Sequence, residues 1–373
     1  MKEILSPLHV GQMNLPSNEA FRAAFEGIFA RRHYANHGPL EQHLDKALAE
    51  HFQVRHAISV VNGTVALILL LKALDIQGEV ITPAFTFSAT AQSLLWAGLK
   101  PVFCDVNVES QMLTAAGVTK AITPATVAIL GVHIWGRACD PIALEELAAE
   151  RGLKLIFDAA HATSCTFAGR RIGGFGDAEI FSFHATKVLN GAEGGCITTN
   201  NDALAARLRV MRSFHDGTGD PSGLLRMNAK MSEAQAAMTL LGLDAIDGFI
   251  AENRARYERY RKNLAHIPGI RFLHHEGYGE NNYQYVVSQI DAQAFGLTCD
   301  ALSNALQARN VLVRRYFSPG LHKSPPFSEE RWNLPVTDDL CRSLLQFPSG
   351  QVINLEDVDA VCSLVRSLQA GTL

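Results

Sequence analysis

Between residues 54 and 200 the chain alternates short β-branched or aromatic runs with stretches that carry apolar residues at helical spacing. Residues 56–61 form a β-branched run, and residues 64–74 place apolar side chains at helical intervals. Residues 79–82 read as strand, 88–97 as helix, 101–105 and 127–133 as strands, 142–151 as helix, and 154–158 and 178–183 as strands. Strands alternating with helices predict a mainly parallel sheet with helices on both faces. Such a sheet binds its ligands beyond the carboxyl ends of its strands.

The pattern changes near residue 230. Residues 232–241 and 251–264 look like long helices rich in Ala, Arg and Glu. After Pro268 a smaller α/β unit follows, with strands at 283–290 and 311–316 and helices at 301–309 and 355–368. The expected division is residues 1–245 for a large domain with an N-terminal helical arm, and 246–373 for a small C-terminal domain. Residues 317–334, rich in Pro and Ser, suit a functional loop.

Composition removes several function classes. Hydrophobic residues make up 47% of the 373 and charged residues 19%, ordinary values for a soluble globular chain. A net charge of −4 supplies no basic field for nucleic acid or an anionic membrane, so neither is expected as a partner. The longest apolar run, Val65 to Leu71, is far too short to span a bilayer, and the N-terminal residues lack the apolar stretch of a signal peptide. Seven scattered cysteines without a Cys-x-x-Cys pair read as reduced core thiols of a cytoplasmic protein. The 14 histidines show no zinc-type spacing, so no metal site is expected.

Four segments at strand ends carry candidate chemistry. Asn62-Gly63-Thr64 joins a strand to a helix, where a glycine, a hydroxyl and free N–H groups suit a phosphate; the same residues suit a plain helix cap. Asp158 ends an apolar strand. It is either a helix cap or a buried carboxylate that keeps a pyridine nitrogen protonated. Phe181-Ser182-Phe183-His184-Ala185-Thr186-Lys187 delivers a lysine into a glycine-rich turn, where a low dielectric would favour its free amine and Schiff-base chemistry; an ordinary surface lysine is the alternative. Phe85 and Phe87 lie in a turn before a helix, placed either to stack on a flat cofactor or to fill the core.

Taken in order, these segments resemble the DegT/DnrJ/EryC1/StrS family of pyridoxal-phosphate (PLP) sugar aminotransferases, of the aspartate-aminotransferase fold. The resemblance extends through Gly38-Pro39, Lys100 to Asp105, Val132-His133-Ile134-Trp135-Gly136, Asp158 to Ala162, Glu193-Gly194-Gly195, Asn228 to Ala236 and Tyr316 to Phe327, and so covers almost the whole chain. It implies an α/β fold with a mainly parallel seven-stranded sheet between helices and a smaller C-terminal α/β domain. It also implies that Lys187 is the Schiff-base lysine and proton shuttle, and Asp158 the pyridinium partner. Gly63, Thr64 and Ser182 would hold the phosphate, Phe87 would stack on the ring, and His161 would lie near the ring and its phenolic oxygen. Asn228 would reach the phosphate of a second subunit, in a homodimer with shared active sites.

The implied reaction moves an amino group, by resemblance from L-glutamate, through the PMP form of the cofactor to a nucleotide-linked keto sugar, with C4 favoured over C3. The product would serve a surface polysaccharide such as a lipopolysaccharide O-antigen, or a glycosylated metabolite. Asn36, His133, Arg314, Arg315, Tyr316, His322 and Lys323 are candidates for substrate contacts. A branch of the family that dehydrates its sugar carries His in place of the lysine; here Lys187 is present, which favours transamination. Asn62 stands where Ser is common, and Ala229-Lys230 replaces a frequent aromatic–Arg pair. A cyclitol aminotransferase of the scyllo-inosose type and a non-catalytic PLP-binding regulator are the alternatives.

Overall fold

A computed structural model describes residues 4–214 and 223–371. Its main sheet is built from β1 (His56–Val60), β2 (Glu79–Pro83), β3 (Lys100–Cys104), β4 (Thr126–Val132), β5 (Lys154–Asp158), β6 (Ala178–Ser182) and β7 (Gly195–Thr199), in the order β1-β7-β6-β5-β4-β2-β3. Strands β2 to β6 pair in parallel. Strand β7 runs antiparallel to both of its neighbours, β6 and β1. No helix separates β6 from β7. Without a crossover helix the chain turns back on itself, which gives an antiparallel neighbour. The apolar patterning did not mark β7, because Gly195 and the paired Thr198 and Thr199 hide its alternation.

The strands are apolar on both sides and divide their side chains between two cores. Ile129, Leu155, Phe157 and Phe181 join one core, with Leu44, Leu48 and Phe52 of the helix Pro39–Phe52. Their neighbours in sequence, Ala128, Leu130, Ile156 and Ile180, join the other, with Leu67, Leu70 and Leu71 of the helix Gly63–Ala73. This is the two-sided burial of a sheet covered by helices.

The helix Glu233–Asp244 stops at Ala245, and Ile246–Leu264 leaves it at a bend of 63°. A third core then gathers β8 (Ile270–Phe272), β9 (Val286–Ile290) and β10 (Leu344–Phe347) with the helices Ile246–Leu264 and Leu355–Gln369. The N-terminal segment touches both units: Leu8–His9 pairs in parallel with Val311–Leu312 and Leu8 lies in the third core, while Val10 lies in the first core and Gln12 and Met13 donate to the carbonyls of Thr186 and Ala185. The strand expected at 283–290 begins only at Val286, because residues 281–285 are tied to the main sheet's loops instead. The strand expected at 311–316 ends at Leu312. Among the described residues no single helix is long and apolar enough to cross a membrane.

One carboxylate joins the two units. The helix Pro335–Ser343 has no side-chain cap of its own. Its first N–H groups are met by Asp105, just past β3: Oδ2 accepts from Val336 N at 2.9 Å, and Oδ1 accepts from Thr337 N at 2.9 Å and Thr337 Oγ1 at 2.7 Å. A distant residue thus does the work of an N-cap. Asp105→Ala should lower stability by about 2 kcal/mol, read as a lower urea midpoint, while Asp105→Asn should keep part of it. An Ala variant as stable as the parent would mean the contact does not hold the helix.

Candidate active site

The carboxyl ends of β1, β4, β5 and β6 open into a cavity of about 590 Å³ lined on one side by Gly63, Thr64, Phe87, Asp158, His161, Ser182 and Lys187. Across from these lie Tyr285, Arg314, Tyr316 and Phe317, which arrive from the C-terminal unit.

At the β1 end, Asn62 is the cap of the following helix: its Oδ1 accepts from Val65 N at 2.8 Å. Gly63 and Thr64 then present the first helical turn to the cavity, where N–H groups lack intrahelical partners and favour an anion. A Cβ on Gly63 would stand 3.0 Å from Ser182 Cβ, so glycine keeps the space between that turn and the Ser182 side chain open.

Asp158 ends β5, is 6% exposed and caps no helix. Its Oδ2 accepts from Thr90 Oγ1 at 2.8 Å and its Oδ1 from Ala160 N at 3.1 Å. Burial raises its pKa, against the opposing pull of Thr90, Ala160, Lys187 and His133. The carboxylate is therefore poised for a cationic partner inside the cavity rather than for water.

Lys187 is half-buried in the loop after β6, and Nζ donates to Tyr285 Oη at 3.3 Å. Burial pulls the ammonium down to about 8, opposed by the charges of Asp158 and Tyr316. A free amine is thus accessible near neutral pH, as covalent capture of an aldehyde requires. His161 is buried, with Nε2 3.2 Å from Tyr285 Oη, and Nδ1 has no partner among the described residues. Burial, with the Lys187 charge beside it, holds His161 neutral by pushing its pKa far down.

Of the two turn aromatics, Phe85 is core, edge-on to Phe317, whereas Phe87 is 56% exposed at the cavity rim. Arg314 and Tyr316 line the cavity. Four expected substrate contacts do not reach it freely. His133 touches the cavity wall but is wholly buried: its ring stacks on Phe157 at 4.6 Å, Nδ1 accepts from Cys139 N at 3.2 Å and Nε2 sits 3.3 Å from Glu179 Oε2. Arg315 turns away, onto Asp300 and the carbonyls of Cys341 and Arg342. His322 is buried against Asp338, at 2.9 Å, and Lys323 pairs with the same carboxylate. Asn36 and Asn228 are exposed and lie outside the cavity of their own chain; Asn228 Oδ1 accepts from Lys230 Nζ. Tyr285 and Thr90, which hold the two charged groups, carried no distinguishing signal in the sequence.

The residues present fit PLP. A helix N-terminus with a glycine gap suits its phosphate, a buried carboxylate suits its ring nitrogen, and a lysine with a depressed pKa suits its aldehyde. Among the described residues no cluster of His, Cys, Asp or Glu could hold a metal ion.

Comparison with known proteins agrees. The DegT/DnrJ/EryC1/StrS aminotransferase family matches residues 17–366. A dTDP-4-amino-4,6-dideoxy-D-glucose transaminase of Shigella dysenteriae is 37% identical over 365 residues, covering 97% of this chain and 99% of its own. A GDP-perosamine synthase of Vibrio cholerae is 31% identical over 346 residues, covering 89% of this chain and 92% of its own. Among solved structures, that of DesI in the presence of its TDP-sugar product superposes with a TM-score of 0.94 at 40% identity, over 99% of this chain and 94% of that one. Matched in sequence and fold along nearly its whole length, the chain belongs to the DegT/DnrJ/EryC1/StrS aminotransferase family, whose cofactor is pyridoxal phosphate.

Proposed function

We propose that the chain transfers an amino group from L-glutamate to the C4 keto carbon of a nucleotide-linked 6-deoxyhexose, as a homodimer in the cytoplasm. The observation that carries this reading is the half-buried Lys187 amine in one cavity with the anchored carboxylate of Asp158. The 4-amino sugars named for the Shigella dysenteriae relative support C4, and the seven buried free cysteines support a reducing compartment. The product suits a surface polysaccharide.

Lys187 would hold the cofactor through Nζ, with Gly63, Thr64 and Ser182 at its phosphate, Asp158 at its ring nitrogen, Phe87 against its face and His161 beside it. When bound, the cofactor supplies an electron sink for the carbon that loses its proton. Asp158 keeps that sink charged. Lys187 Nζ takes a proton from the α-carbon of the donor and, in the second half of the cycle, delivers one to the sugar carbon that receives nitrogen. Arg314 and Tyr316 stand at the mouth, where a sugar diphosphate would enter. Asn228, outside its own cavity, would serve the phosphate of the other subunit.

Turnover should be seen as 2-oxoglutarate released when L-glutamate is supplied with dTDP-, UDP- or GDP-linked 4-keto-6-deoxyhexoses. Activity with scyllo-inosose and none with any of these would sink the reading.

Borohydride reduction of the holoenzyme should label Lys187, and Lys187→Ala should lose both label and turnover. Because only the free amine reacts, the rate of PLP capture by stripped enzyme should rise about tenfold per pH unit below the lysine's pKa and level off above about 8. A rate still climbing at pH 10 would show an unshifted lysine.

Lys187→Ala and Asn228→Asp dimers should each be weak, the second because a carboxylate would face the phosphate dianion. After subunit exchange in equal mixture, half of the dimers are hybrids with one intact site of two. Activity should therefore recover towards about a quarter of wild type. No recovery after verified exchange would confine Asn228 to its own chain.

A further inference from the structure

The Lys187 amine has to leave the cofactor and return in every cycle, and a lysine's four-carbon stem offers it many positions. Asp158 does not hold it: that carboxylate already accepts from Thr90 and Ala160. Among the described residues the hydrogen-bond partner of Nζ is Tyr285 Oη.

Tyr285 is itself fixed on every side. It is 4% exposed, with Trp135 edge-on to its ring at 5.2 Å and Tyr316 edge-on at 6.2 Å. Its oxygen reaches His161 Nε2 at 3.2 Å. The backbone around it is tied to the loops that carry both partners. Gln284 Oε1 accepts from Val188 N at 2.8 Å, next to Lys187, and Asn282 Nδ2 donates to His161 O at 3.0 Å. Burial keeps the phenol protonated and His161 neutral. Lys187 Nζ–H donates to Tyr285 Oη, and the phenol shares a second hydrogen bond with His161 Nε2, whose direction is set by the histidine tautomer.

We propose that Tyr285, braced by His161, is a positioning residue that holds the Lys187 amine in place whenever that amine is free. The geometry stands without a ligand; the catalytic consequence rests on the PLP reading above. The titratable groups that face the amine are Asp158 at the end of β5, His161 from the loop after it, Tyr285 and Tyr316 from the C-terminal unit, and His184 and Glu193 at the rim.

Tyr285→Phe removes one oxygen and keeps the ring, so the packing survives. An acceptor that favours the ammonium is then lost, and the midpoint of the pH profile for PLP capture should move down by about one unit. In the holoenzyme kcat should fall about 10- to 100-fold with little change in KM, because the substrates still bind while the proton carrier is misplaced. His161→Ala should cause a smaller fall of the same kind, His161→Gln should restore it through an amide that also meets the phenol, and the Tyr285→Phe/His161→Ala double variant should be no worse than Tyr285→Phe alone. An unchanged capture midpoint in Tyr285→Phe, or additive losses in the double variant, would overturn the proposal. A wild-type enzyme that captures no PLP would instead refute the cofactor reading and leave the arrangement of Lys187, Tyr285 and His161 to be judged by structure alone.

Discussion

The site depends on hydrogen bonds made by four residues that belong to neither a strand nor a helix. Asn281, Asn282, Gln284 and Tyr285 cross from the C-terminal unit to the carboxyl edge of the main sheet, where they meet Trp135, His161, Thr163, Val188 and Lys187. Most of these bonds join a buried side-chain amide to a backbone group. In such surroundings each unmade bond leaves a desolvated polar group, so the segment has little freedom to sit elsewhere. The same constraint that delays the start of β9 to Val286 places a phenol beside the lysine.

Burial then does the electrical tuning. Lys187 and Asp158 share one cavity, and desolvation drives each towards its neutral form, the amine down and the carboxyl up. Their attraction works against both shifts. An amine that is free near neutrality and a carboxylate held by two donors can coexist because the two are anchored by different partners, Tyr285 and Thr90. A direct ion pair would have tied the amine to the carboxylate and removed it from chemistry.

The main sheet and the two charged groups were legible because both depend on local pattern. Apolar strands bounded by turn residues mark their own carboxyl ends; Asp158 closes one such strand and Lys187 lies in the loop after another. Contacts made across the fold left no such mark. Tyr285 reads as an ordinary aromatic in a strand, and its role depends on where residues 281–285 are tied. Arg314 and Arg315 are indistinguishable as a pair of cations, yet the chain has already left its strand at Leu312, and one faces the cavity while the other clamps Asp300. His133 and His322 looked available because a histidine's partner, Glu179 or Asp338, is distant in sequence.

The pairing of Leu8–His9 with Val311–Leu312 bears on how the chain is made. During synthesis Leu8–His9 emerges long before its partner strand exists, and contacts of such sequence separation form late. The seven strands of the main sheet are all complete by residue 199, so that sheet can close while the N-terminal segment is still waiting. Only when Val311–Leu312 has been made can this seam close, and it then ties together two stretches that lie far apart in sequence.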